Sequence, residues 1–231
     1  MKTIGMLGGM SWESTALYYR SINELVRQQL GGLHSAKIVL HSVDFEEIET
    51  LQRAGDWQRA GEILGEAARG LELVGADFLL ICTNTMHLVA AQVSEYIQIP
   101  LLHLADATAT RLRDAGVTKV GLLGTAYTME QVFYKERIEA AGIEVIVPDK
   151  AGRDEVNRII FTELCLGVVN DDSREIYLQQ IEQMRSAGVQ AVIEGCTEIT
   201  MLLQPQHTDM PLFDTTAIHA EEAVRLALVG G

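Results

Sequence analysis

Short apolar runs alternate along the chain with longer stretches in which apolar residues recur every three or four positions. Residues 3–7 form the first such run, which breaks at Gly8-Gly9. Leu17, Ile22, Leu25 and Val26 then follow helical spacing and predict a helix reaching Leu30, with Ser11 as its N-cap and Gly31-Gly32 as its stop. Residues 36–45 read as a strand. Trp57, Ala60, Ile63, Leu64, Ala67, Ala68 and Leu71 mark a long amphipathic helix. A strand over 77–82, a helix over 86–97 and a strand over 101–104 complete the first half. The second half predicts strands over 119–123, 144–147, 191–194 and 212–213. Helices are expected between and after them, over 128–141, 154–166, 173–187 and 216–228. Strands rich in Val, Ile and Leu on both faces, alternating with helices, specify an α/β fold of parallel sheets covered on both sides. Ligands in such folds bind beyond the carboxyl ends of the strands.

Several segments occur twice in the same order. Ile4-Gly5-Met6-Leu7-Gly8-Gly9 is matched by Val120-Gly121-Leu122-Leu123-Gly124-Thr125, and Cys82-Thr83-Asn84-Thr85 by Gly195-Cys196-Thr197-Glu198. Gly8 precedes Thr83 by 75 residues (83 − 8), and Gly124 precedes Cys196 by 72 (196 − 124). Ile99-Pro100-Leu101-Leu102 before Asp106 echoes Met210-Pro211-Leu212-Phe213 before Asp214. Repeated elements at near-equal spacing indicate an internal duplication. Two similar halves facing each other would bring Thr83 and Cys196 to opposite walls of one cleft, the arrangement that a stereochemical inversion needs. The boundary near Ala115-Gly116-Val117 is marked only by the restart of the pattern.

With 231 residues, 48% hydrophobic and 22% charged, the chain has the composition of one large or two smaller packed domains. Its formal charge of −14 argues against a nucleic-acid partner, whose phosphates it would repel, and does not favour anionic membranes. No apolar stretch approaches membrane-spanning length. Three scattered cysteines, Cys82, Cys165 and Cys196, show neither a disulfide framework nor zinc spacing. With no signal or transit peptide legible at the start, a cytoplasmic protein is expected.

A cysteine just beyond a buried strand and near a helix start has amide donors and a helix dipole that favour thiolate, which suits Cys196 to act as a base. Asn84, Thr85 and Thr197 can donate hydrogen bonds to a carboxylate and so stabilise the charge that forms when an α-proton leaves. Cys82 and Cys165 read first as small packing residues. His87 and His219 either border the cleft or serve capping and packing roles. Trp12, Tyr18 and Tyr19 read as core or lobe contact. Gly5-Met6-Leu7-Gly8-Gly9 lacks dinucleotide-site spacing, and the six histidines show no paired ligand spacing.

Ile4-Gly5-Met6-Leu7-Gly8-Gly9-Met10-Ser11, Cys82-Thr83-Asn84-Thr85-Met86-His87, Gly195-Cys196-Thr197-Glu198 and Asp214-Thr215-Thr216 resemble the aspartate/glutamate racemase family, over essentially the whole chain. The resemblance implies cofactor-independent amino-acid racemisation, with no pyridoxal phosphate and no metal, commonly by a homodimer. It implies two pseudo-symmetric lobes, each a parallel sheet flanked by helices, with the active site in the cleft between them. The last strand and helix would return to the first lobe, giving 1–99 plus 209–231 for the first lobe and 100–208 for the second.

This sequence departs from the family pattern at two places. The usual first motif is Cys-Asn-Thr, and alignment on Asn84-Thr85 puts Thr83 at the cysteine position, so the two proton carriers become Thr83 and Cys196. Strict aspartate racemases hold the side-chain carboxylate with an Arg after the second strand and a Lys in a later helix. Here the region 44–48 is acidic through Asp44, Glu46 and Glu47, Gln52 and Arg53 follow, and Cys165 takes the Lys position. Arg53 is either that cation or a solvated surface charge; Met10 and Gln52 would shape the side-chain pocket. Specificity is therefore expected for aspartate and glutamate or, more broadly, for neutral amino acids such as homoserine. The alternatives are a Cys-dependent isomerase or decarboxylase of a small carboxylic acid, or a catalytically silent small-molecule sensor.

Overall fold

The apolar run that opens the chain becomes the central strand of a sheet, because both of its faces are covered. β1 (Ile4–Gly8) is buried throughout and lies between β2 (Ile38–Ser42) and β3 (Phe78–Ile81), all parallel. In the computed structural model, which describes residues 1–229, the chain divides into two compact units. One comprises Met1–Leu104 and the C-terminal segment from Thr216; the other is Ala105–Thr215.

In the first unit, α1 (Trp12–Leu30), α2 (Phe45–Ala54), α3 (Trp57–Leu73) and α4 (Ala90–Ser94) accompany the sheet. Period-two alternation sorts the strand residues onto two cores. Leu7, Leu79 and Ile81 pack with Leu64, Ala68 and Val93. Ile4, Met6, Phe78, Leu80 and Cys82 pack with Tyr18, Ile22 and Val26 of α1 and with Ala220, Ala223 and Val224 of α11 (Thr215–Leu228). Ser11 caps α1 as expected, accepting from the Ser14 amide at 3.2 Å.

The second unit runs α5 (Leu104–Asp114), β4 (Lys119–Gly124), α6 (Ala126–Glu130), α7 (Val132–Ala140), β5 (Glu144–Ile146), α8 (Lys150–Thr162), α9 (Asp171–Ser186), β6 (Ala191–Gly195), α10 (Ile199–Leu202) and β7 (Leu212–Asp214). Its parallel sheet has the order β5-β4-β6-β7, against β2-β1-β3 in the first unit. The duplication thus extends from motif to topology. It even reaches one hydrogen bond: the Leu79 amide donates to the Pro100 carbonyl, and the Val192 amide to the Pro211 carbonyl, each at 2.8 Å.

Four expectations are corrected. The run over 101–104 is not a strand but a single bridge from Leu101 to Leu79, because α5 begins at Leu104. β7 pairs with β6, so the last strand stays with the second sheet and only α11 returns to the first unit. The helix over 128–141 is interrupted by an extended Gln131. The helix over 86–97 is a 3-10 turn, Thr85–Val89, followed by the five-residue α4. That last segment lies close against α3, where Gly61 and Gly65 make room: a Cβ on Gly65 would stand 2.4 Å from the Tyr96 ring. Tertiary packing here overrides the helical propensity of the sequence.

Candidate active site

Register identifies which residues of the two halves are equivalent. Gly124 pairs with Gly195, and Cys196 follows. Leu7 pairs with Ile81, and the Cys82 amide donates to the Leu7 carbonyl, so Gly8 stands level with Cys82 and Thr83 follows. With Gly8 and Gly124 as counterparts, Thr83 occupies in the first unit the place that Cys196 occupies in the second. Cys82 belongs to the buried core beside Phe78 and Leu80, where burial pushes its thiol far up. It is a packing residue and no base.

Around Thr83 the first unit gathers several of the expected residues. Thr83 and Thr85 are half-buried and Asn84 is buried at the start of the 3-10 turn. Met10 shares a core with Met86, whose sulfur accepts a hydrogen bond from Gln52 Nε2 at 2.9 Å. Asp44, Glu46 and Glu47 stand at the start of α2: Asp44 caps it, accepting from the Glu46 amide, and Glu46 and Glu47 lie in the first turn, where the helix dipole favours them. Arg53 is exposed and paired with Glu49 at 2.9 Å, which is the surface-charge alternative.

Around Cys196 the second unit places Thr197 and Glu198, all three half-buried. The Cys196 thiol donates to Glu198 Oε2 at 2.9 Å. Burial, then the Glu198 carboxylate, pushes this thiol well above the ordinary range. The expected stabilisation of a thiolate by a helix start is therefore corrected: α10 has four residues and begins three positions later, too little dipole to oppose burial and a neighbouring acid. Cys165 is also corrected as a packing residue. It is exposed on the 3-10 turn Leu164–Leu166, which packs against α10 and so lies near the Cys196 turn.

Sequence reasoning gave no role to Glu198, although its place two residues after a cysteine in a turn was a legible signal. It also missed Glu194, which is buried at 4% exposure on β6 with Oε1 unpartnered among the described residues. Burial, then the neighbouring Asp214, raises its carboxyl from 4.5 to about 8. Of the aromatic trio only Tyr18 is core. Trp12 and Tyr19 are exposed and line an open groove of about 950 Å³ with Arg20, Arg27 and Leu33. Among the described residues no group of three His, Cys, Asp or Glu is placed to hold a metal ion. No helix among them is long and apolar enough to cross a membrane.

Several known proteins are similar to this chain. A broad-specificity amino-acid racemase of Bacillus subtilis (strain 168), RacX, is 22% identical over 96% of each chain. A structure of a candidate Asp/Glu racemase from Yersinia pestis is 55% identical with a TM-score of 0.95, covering 99% of this chain and 100% of that one. An aspartate racemase homologue from Pyrococcus horikoshii OT3 is 36% identical with a TM-score of 0.88, covering 98% and 99%. Residues 7–223 match the family described as Asp/Glu/Hydantoin racemase, and the chain belongs to that family of cofactor-independent enzymes.

Proposed function

We propose that this protein is an amino-acid racemase that inverts Cα by two-base proton transfer, with Cys196 and Thr83 as the proton carriers. The observation that carries this reading is the register equivalence of Thr83 and Cys196 at the ends of matching strands. Asn84, Thr85 and Thr197 hold the α-carboxylate, and stabilise the enediolate-like charge as the α-proton departs. Cys196 rests as a thiol hydrogen-bonded to Glu198, so Glu198 is the group that accepts its proton and returns it. On the other face a hydroxyl, a much weaker acid than a thiol, makes proton delivery the slow step.

Arg53 is turned to solvent and paired with Glu49, and position 165 carries a thiol where a strict aspartate racemase carries a Lys. A fixed cation for a side-chain carboxylate is therefore missing from both positions. This supports broad specificity, including neutral side chains such as homoserine, and the name of the Bacillus subtilis relative agrees with it. A cytoplasmic homodimer completes the proposal.

The test is Thr83→Cys, assayed in both directions with Asp, Glu, homoserine, Lys and Arg. Enantiomers have equal free energy in achiral solution, so kcat/KM must rise equally in both directions, by about tenfold or more. Turnover that does not rise would remove Thr83 from the reaction.

A further inference from the structure

The turn that carries Thr83 is held by a side chain outside the set that touches substrate. His87 lies four residues after Thr83 on the 3-10 turn, 2% exposed. Its Nδ1 stands 2.8 Å from the Thr83 carbonyl, which can only accept, so Nδ1 carries the hydrogen. The Leu104 amide donates to Nε2 at 3.2 Å, so Nε2 presents its lone pair. The two bonds together select one neutral tautomer and fix the ring plane.

The backbone explains why a ring is used here. In an α-helical turn the Thr83 carbonyl would accept from the His87 amide. The turn is instead 3-10, and that amide goes to the Asn84 carbonyl at 3.1 Å. The imidazole supplies the Thr83 carbonyl with a donor that the tighter turn takes away. Behind it, His103 and His219 stand edge-on at ring-centroid distances of 4.6 and 5.7 Å. His219 is itself pinned, to the Leu102 carbonyl by Nε2 and to the Tyr18 hydroxyl by Nδ1, both at 2.9 Å. Residues 102–104 are thus tied to the turn after β3 through His87 and to Tyr18 of α1 through His219.

The other half is built differently. The counterpart of His87, four residues after Cys196, is Thr200, whose hydroxyl donates to the Thr197 carbonyl at 2.8 Å. There a carboxylate engages the reacting sulfur directly, whereas at Thr83 a ring fixes the backbone that carries the hydroxyl. A poor acid depends on placement, since a displacement of about 1 Å costs on the order of 100-fold in rate.

We propose that His87 is a positioning residue for proton transfer at Thr83, holding the carbonyl of the residue whose hydroxyl delivers the proton. This rests on the racemase reading above. Cys196 draws the α-proton onto its sulfur and leaves the electron pair in the enediolate. Solvent deuterium, exchanged onto the sulfur through Glu198, then returns to the same face without inversion. Inversion needs Thr83; exchange with retention does not.

The experiment uses the full chain in D2O, starting from each pure enantiomer of the amino acid that the wild type turns over best, with Cα exchange followed by NMR and inversion by chiral chromatography. His87→Phe keeps a ring without donor or acceptor; His87→Gln keeps both, without charge. In the Phe variant inversion should fall by about 30- to 100-fold. Exchange with retention, from the enantiomer whose α-hydrogen faces Cys196, should stay within about threefold. The Gln variant should recover most of the inversion. Unchanged inversion in the Phe variant, or parallel loss of exchange and inversion with no recovery by Gln, would overturn the proposal. Should the Phe variant not fold, His87→Asn, which keeps a donor near the Thr83 carbonyl, decides: retained inversion supports the role, and parallel loss of both rates overturns it. A wild type that neither exchanges nor inverts any of the five amino acids refutes the racemase reading itself, and this proposal with it.

Discussion

Replacing Glu194 by Gln should make the protein more stable, and only on the alkaline side. The carboxyl lies on β6 level with Leu123 and Asp214, and burial, then Asp214, raises it from 4.5 to about 8. A group whose folded value is raised contributes stability that is fully present below pH 4.5 and is lost as pH rises through 8, because the unfolded chain ionises first. The separation of about 3.5 pH units, at about 1.4 kcal/mol each, amounts to about 5 kcal/mol. Gln has the same shape and no proton to lose, so the variant escapes this loss. Wild type and Glu194→Gln should melt together near pH 4.5 and diverge steadily to pH 9, where the variant gains about 10–20 °C. His219, held from 6.5 down to about 3 by burial and then His87, costs stability as pH falls below 6.5. It does so equally in both proteins and cancels in the difference. The assay is thermal unfolding by circular dichroism at half-unit pH steps from 4.5 to 9. Parallel curves would refute the view that Glu194 is a buried neutral acid.

Two further outcomes follow from packing and from the thiol. In α3, Gly65→Ala should lower stability by about 1–2 kcal/mol despite better helix propensity, because the new methyl meets the Tyr96 ring at 2.4 Å. Gly70→Ala, which meets nothing within 4 Å, should raise stability by up to about 1 kcal/mol, and urea melts of the pair decide. In a Cys165→Ser background, Cys196 alkylation by iodoacetamide should titrate above the ordinary thiol value of 9.0, and Glu198→Gln should move that midpoint down by removing a negative charge. A wild-type midpoint at or below 9, or one that Glu198→Gln leaves in place, would contradict the hydrogen-bonded thiol.

The alternating periodicities, the glycine and proline punctuation and the duplicated motifs determined that this chain makes two parallel α/β sheets, since each is a local signal written in neighbouring residues. They also singled out Thr83 and Cys196, but not the helix that begins at Phe45, where a strand was expected to end. Tertiary structure decided what depends on residues far apart in sequence. Strand register set Gly8 level with Cys82 and Gly124 level with Gly195, and sheet alternation put Cys82 in the core with Phe78 and Leu80. The segment 86–97 opens as a 3-10 turn, in which the His87 amide goes to the Asn84 carbonyl and the His87 ring to the Thr83 carbonyl, while its later residues Gln92 and Tyr96 pack against Gly61 and Gly65. Burial reversed the expected ionisation of Cys196 and neutralised Glu194. Desolvation is the sum of everything packed around a group, and no stretch of sequence beside that group records it.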